Sequence, residues 1–122
     1  MKQEDKELLL KDISARLPYG VKVKNIEENT MGEVFAINRN KRTNNHVVSY
    51  YLSDDCDTLS CTQIEFVKPY LRPMKSMTGE EIRATNKMTM MQIFDYYNSI
   101  HVDYRGLIPR CLAIKAPEDM YK

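Results

Sequence analysis

The apolar residues of this chain repeat with one period before Pro18-Tyr19-Gly20 and with another after it. Upstream, Leu9, Ile13 and Leu17 recur at four-residue spacing, and Leu10 widens the stripe. That period predicts a helix over residues 4–17 with one apolar face. Lys6, Glu7, Lys11 and Asp12 fall on the side assigned to solvent. Pro18 ends the helix, because proline disfavours helical geometry at the residue before it. Tyr19-Gly20 turns a corner. Downstream, Val21-Lys22-Val23-Lys24 alternates apolar and basic, as a half-buried strand does.

The period of two then persists. Glu28-Asn29-Thr30-Met31-Gly32 reads as a turn, with Asn and Gly able to take positive φ. Residues 34–37 form the return strand, 38–45 a polar loop, and 46–52 a third strand rich in Val and Tyr. Residues 53–57 are Asx-turn formers, and 62–67 make a short fourth strand. Pro69 and Pro73 make residues 68–73 extended or irregular. The last third returns to helix. Thr78-Gly79-Glu80-Glu81 and Thr89-Met90-Met91-Gln92 both fit a capping box. In the second helix Met90, Ile93, Phe94, Tyr97 and Ile100 share one face. His101-Val102-Asp103 leaves it, residues 104–108 make one further turn stopped by Pro109, and Leu112-Ala113-Ile114 docks as a last strand or apolar anchor. The expected fold is α+β, in one domain over residues 1–122. It has an N-terminal helix, an antiparallel meander or small barrel-like sheet of four to five strands, and C-terminal helices packed on it. Strand length, a glycine before the second strand and a long polar loop resemble a small barrel of the Src-homology-3 type.

Charge and hydropathy exclude several functions. Eighteen basic and 17 acidic residues leave a net charge of +1, so no global field steers the chain to nucleic acid or an anionic membrane. No apolar run approaches the roughly 20 residues of a membrane helix. The opening Met-Lys-Gln-Glu-Asp-Lys lacks an apolar core, so no secretory signal is expected. Three cysteines, an odd number, point to reduced thiols in a cytoplasm.

No constellation of catalytic or ligating residues completes itself. Cys56 and Cys61 lack the second ligand pair of a zinc site, and the only histidines are His46 and His101. Cys111, His101 and Asp103 contain the residue types of a thiol nucleophile set, but no local nucleophile signature accompanies them. The plainer reading has His101 and Asp103 joining helices, with Asp103 as N-cap of the turn at Tyr104. The acidic run Asp54-Asp55-Asp57 lacks the glycine of a calcium loop. No cofactor and no catalysis are therefore expected. Arg39, Lys41 and Arg42, among four asparagines in residues 38–45, could meet phosphates and base edges, though three charges are a small footprint. Eight tyrosines and no tryptophan supply side chains that protein interfaces favour.

Three blocks carry a resemblance. They are Leu17-Pro18-Tyr19-Gly20-Val21-Lys22 with the helix before it, Lys68-Pro69-Tyr70-Leu71-Arg72-Pro73, and Asp103-Tyr104-Arg105-Gly106-Leu107-Ile108-Pro109 with the residues after it. Together they resemble an uncharacterised family of small proteins of phages and prophages of gut anaerobes, which has no established activity. The resemblance implies a glycine at the position of Cys111 and often at Asp119, and a longer segment between Thr78 and His101. If a glycine there supplies positive φ, Cys111 places that turn in question. The blocks read as structure, with Arg105 pairing either Asp103 or a distant carboxylate so that Asp-Tyr-Arg-Gly becomes a clasp. The resemblance also places the chain in the cytoplasm of a bacterial host cell. The function expected first is a protein-interaction module with an unknown protein partner. A nucleic-acid-binding module using Arg39, Lys41 and Arg42 comes second, and a small thiol or histidine enzyme third.

Overall fold

The change of period at Pro18 becomes a change from helix to sheet. The computed structural model describes residues 1–53 and 57–121. The expected Asx-turn and acidic residues Asp54 and Asp55, and Cys56, lie outside them. Helix α1 (Gln3–Arg16) ends in a 3-10 turn over Leu17–Tyr19, and Gly20 closes the corner at φ 70°. The strands are β1 (Lys22–Asn25), β2 (Thr30–Arg39), β3 (His46–Leu52), β4 (Leu59–Gln63), β5 (Val67–Leu71) and β6 (Ile114–Lys115). Between β5 and β6 lie α2 (Gly79–Ala84) and α3 (Met90–Ser99), each opened by the capping box its sequence predicts.

The fold is α+β, but its sheet has six strands in the order β4-β3-β2-β1-β5-β6. The expected meander of four to five stops short for two reasons. The 3-10 turn Ile64–Phe66 splits the expected fourth strand from β5. The C-terminal segment then returns to β5 in parallel, with Tyr70 opposite Ile114 and Leu71 opposite Lys115. As a barrel would require, β1 lies between β2 and β5, yet among the described residues β4 pairs on one side only and the sheet stays open.

Pro69 sits inside β5 opposite Val23. The bond from Ile26 N–H to Phe66 O, 2.8 Å, fixes which pairs exchange hydrogen bonds. By the antiparallel alternation, position 69 faces away from β1, where a missing N–H costs the ladder nothing. In β2, Phe35 is an extra residue between Val34 and Ala36, a bulge that turns its ring onto Tyr51 at 4.4 Å. Leu9 and Ile13 of α1 close the core over Val21, Val23, Val34, Val48, Tyr50, Val67 and Leu71.

Three local expectations change. Positive φ in the β1–β2 turn belongs to Asn29, at 56°, while Gly32 lies inside β2. Pro109 does not stop the turn after Tyr104. Its missing N–H falls in the first turn of a segment running on to Cys111, where no donor is needed. Asp12 is not solvated but fully buried.

Candidate functional site

The three blocks that carry the family resemblance converge on one buried polar clasp. Asp12 and Arg16 lie one helical turn apart on the face of α1 that also buries Leu9 and Ile13. Arg16 Nε and Nη2 donate to the Asp12 carboxylate at 3.0 and 3.1 Å, and Nη2 donates to Val102 O at 2.7 Å. Arg105 reaches the same carboxylate at 2.9 Å, so its partner is the distant one. Tyr104 stacks under Arg105, 4.5 Å from guanidinium carbon to ring centre, and its hydroxyl donates to Asn98 Oδ1. One carboxylate thus joins the first helix to the last loop through two cations.

Asp103 is a cap, but of a later turn than the one at Tyr104. Its two oxygens accept from the N–H groups of Leu107 and Ile108 at 2.8 and 2.9 Å. That turn closes with Cys111 N–H on Ile108 O and Leu112 N–H on Leu107 O, the two bonds of a Schellman end. Cys111 occupies its left-handed position at φ 61°, so the turn forms without the glycine that the resemblance implies. Cys111 is exposed and gives up little packing. Cys111→Gly is therefore expected to stabilise the chain by about 1 kcal/mol, since the left-handed conformation strains a residue with a Cβ. Thermal unfolding checks it, and a lower midpoint contradicts the assignment.

His101 ends α3 in the same way, at φ 60°, with Val102 N–H on Tyr97 O and His101 N–H on Asn98 O. Its ring fixes the corner after α1, because Nε2 lies 2.9 Å from Tyr19 O. A carbonyl only accepts, so Nε2 carries the proton. Burial, reinforced by the nearby cations Arg16, Arg72 and Lys22, pulls the imidazole down to about 4 despite the opposing Tyr19 bond. Tyr121 stacks on the ring at 4.0 Å and donates to Tyr70 O at 2.6 Å, tying the tail to β5. Burial raises the Tyr121 hydroxyl. Arg72 extends β5, its N–H on His101 O and its carbonyl accepting from Asp103 N–H. Its guanidinium grips Glu81 at 2.6 and 2.8 Å, which holds that carboxyl down at about 2. Pro18, Tyr19, Gly20, Tyr70, Arg72, Asp103, Tyr104 and Arg105 thus all lie on or beside the clasp, while Gly106 supplies positive φ at 75°. Arg16 Nη1 and His101 Nδ1 are buried there without hydrogen-bond partners.

The other sequence candidates stay apart. Among Cys111, His101 and Asp103 no hydrogen bond links one side chain to another: the ring is held by Tyr19 and the carboxylate by Leu107 and Ile108. Cys61 is exposed on β4. Among the described residues no cluster of three His, Cys, Asp or Glu is placed to hold a metal ion. In the hairpin tip, Asn40 Oδ1 accepts from Arg42 N–H, and Asn45 Oδ1 accepts from His46 N–H. Asn40 and Asn45 are thus spent on folding the loop, and Arg39, Lys41 and Arg42 are exposed. An open cleft of about 600 Å³ lies between this loop and α1, lined by Lys6, Glu7, Arg39, Asn44 and His46 among others.

Helix α3 holds what the sequence placed differently. Its apolar face was expected to pack on the sheet, but Met90 is 67% exposed and Phe94 is exposed too, and Met91 beside that face is 78% exposed. Ile93, Tyr97 and Ile100 are half-buried, and the buried member is the polar Asn98. The helix is anchored by its C-terminal turn, where Asn98 meets Tyr104 and Arg105. Its first turns are left in water. Met90, Met91 and Phe94 are neighbours at three- and four-residue spacing. One charged side chain, Asp95, occurs in the ten residues of α3. That low charge and the adjacent methionines were the available signal.

No helix among the described residues is long and apolar enough to cross a membrane. Comparisons with protein-family models, with curated proteins and with solved structures gave no match.

Proposed function

We propose that this chain is a non-catalytic protein-interaction module, an accessory factor of a phage or mobile element acting in the host cytoplasm. It meets its protein partner through the first turns of α3. The observation that carries this reading is the exposure of Met90, Met91 and Phe94 on a helix with a single charge. Interface cores favour methionine and aromatic residues and are depleted of charge. Phe94 is supported from below by Tyr104, whose ring stacks on it at 5.3 Å. Phe94 therefore stands on the clasp, which fixes its position before a partner arrives.

Affinity capture from infected or lysogenic cells, with nuclease treatment, tests the reading. The expected result is a protein partner that survives nuclease and is lost from Met90→Lys/Met91→Lys. Both side chains are exposed, so the variant keeps its stability within about 0.5 kcal/mol. Capture that the variant does not reduce contradicts the assignment of the surface.

A second reading, nucleic-acid binding, is favoured by the three free cations of the 38–45 tip beside a cleft holding Arg39 and His46. Weak, salt-sensitive binding that disappears in the triple alanine variant of Arg39, Lys41 and Arg42 supports it. Capture abolished by nuclease does the same.

A further inference from the structure

We infer that β4 is a self-pairing edge, where a second copy of this chain adds its own β4 antiparallel to the first and continues the sheet. The inference is independent of the α3 surface. Among the described residues β4 pairs with β3 alone. The hydrogen bond from Leu52 N–H to Thr58 O, 3.0 Å, sets the alternation along this ladder. Leu52 and Thr58 are a bonded pair, so Tyr50 with Ser60 and Val48 with Thr62 are bonded pairs as well. The N–H and C=O groups of Leu59 and Cys61 and the N–H of Gln63 consequently point out from the sheet edge, while Gln63 C=O takes the first bond of the 3-10 turn that follows.

Protein edges are commonly blunted with lysine, proline, a bulge or an inward charge. The β4 sequence Leu-Ser-Cys-Thr-Gln has no charge and no proline, and its register with β3 is continuous. The same five residues are complementary to themselves. With the two-fold axis at Cys61, each Cys61 faces the partner's Cys61 and each Leu59 faces the partner's Gln63. The two Cys61 residues then exchange both of their bonds, and each Gln63 N–H meets the partner's Leu59 C=O. On the opposite face Ser60 meets the partner's Thr62, a pair of hydroxyl residues that cross-strand contacts favour. No like charges oppose each other along the strand. The outer face also carries exposed apolar side chains up to this edge, since Phe35 stacks on Tyr51 and Tyr51 is in register with Leu59. A second copy fits such a strand because it brings the same uncharged pattern in the register that pairs these outward groups.

A five-residue seam is small, so the association is weak and concentration-dependent. Sedimentation of the full chain from about 10 to about 500 μM, where such contacts populate, is expected to show a monomer–dimer equilibrium. Cys61→Lys places two ammonium groups face to face on the axis and should weaken the dimer tenfold or more, whereas Cys61→Ser leaves it unchanged. Circular dichroism checks that the lysine variant is folded, and if it is not, Gln63→Lys replaces it. In the Cys56→Ser/Cys111→Ser variant, a short bis-maleimide should join two copies through Cys61. A monomer throughout the range overturns the inference. So does a dimer that neither lysine variant weakens, or one that Met90→Lys/Met91→Lys abolishes instead.

Discussion

Asp12→Ala should destabilise the chain by about 3–5 kcal/mol, the cost of leaving a buried charge without its partner. Asp12 and Arg16 are both fully buried, and among the described residues the carboxylate is the only anion in contact with either Arg16 or Arg105. Its removal strands the Arg16 guanidinium in the core, where one nitrogen already lacks a partner. Arg105 keeps some solvent access and can turn outward, so most of the loss comes from Arg16. Against the roughly 5–15 kcal/mol that holds a domain of this size, the change removes a large fraction of the stability. Urea unfolding measures it directly, as a fall in the midpoint with little change in slope. The double change Asp12→Leu/Arg16→Met removes anion and cation together and should recover a good part of the loss, because well-packed apolar residues can replace a buried ion pair. A double variant no more stable than Asp12→Ala would show that the effect is not a stranded charge.

Gly32→Ala is the second large effect expected, about 3 kcal/mol or more, at the upper end of overpacking costs. A Cβ at position 32 would lie 1.9 Å from Tyr51 O and 2.7 Å from a ring carbon of Tyr50. Neither obstacle is the free end of a flexible chain. The carbonyl belongs to the β3 backbone and the Tyr50 ring is fully buried, so β2 and β3 must part where Gly32 faces Leu52. Gly79→Ala is the matched control. Its Cβ would meet only the far end of Arg83, at 3.3 Å, and alanine is the better helix former, so its stability should hold or rise. Equal losses in the two variants would mean that a general intolerance of alanine, not the close approach, is being measured.

These positions show how far local pattern reached. The helix, its stop at Pro18 and both capping boxes were legible because each is written within a few neighbouring residues. Asp12 was assigned to solvent because aspartate on a helix is ordinarily solvated, and its second partner, Arg105, lies 93 residues away. The need for glycine at 32 was visible as a glycine but misread as a turn, since the approach of Tyr51 is a tertiary fact. The α3 pattern was also real. An apolar stripe says that a helix has two sides but not which part of it the sheet reaches, and here the docking is set by Asn98. The distant clasp was foreshadowed only through Arg105 and the three resembling blocks, whose meeting point depends on β5 running between them.

One division of labour underlies the proposal: the segments around Pro18, Arg72 and Asp103 tie the fold together through the clasp, and the start of α3 stands exposed outside it. Native-state hydrogen exchange on the free chain tests that division most directly. The amides of Arg72, Asp103 and Leu107, bonded to His101 O, Arg72 O and the Asp103 carboxylate, are expected to exchange only through global unfolding. Those in the first turns of α3, such as Ile93, should open at a clearly lower free energy. Clasp amides that exchange through local opening, while α3 stays protected to the global limit, would contradict the account.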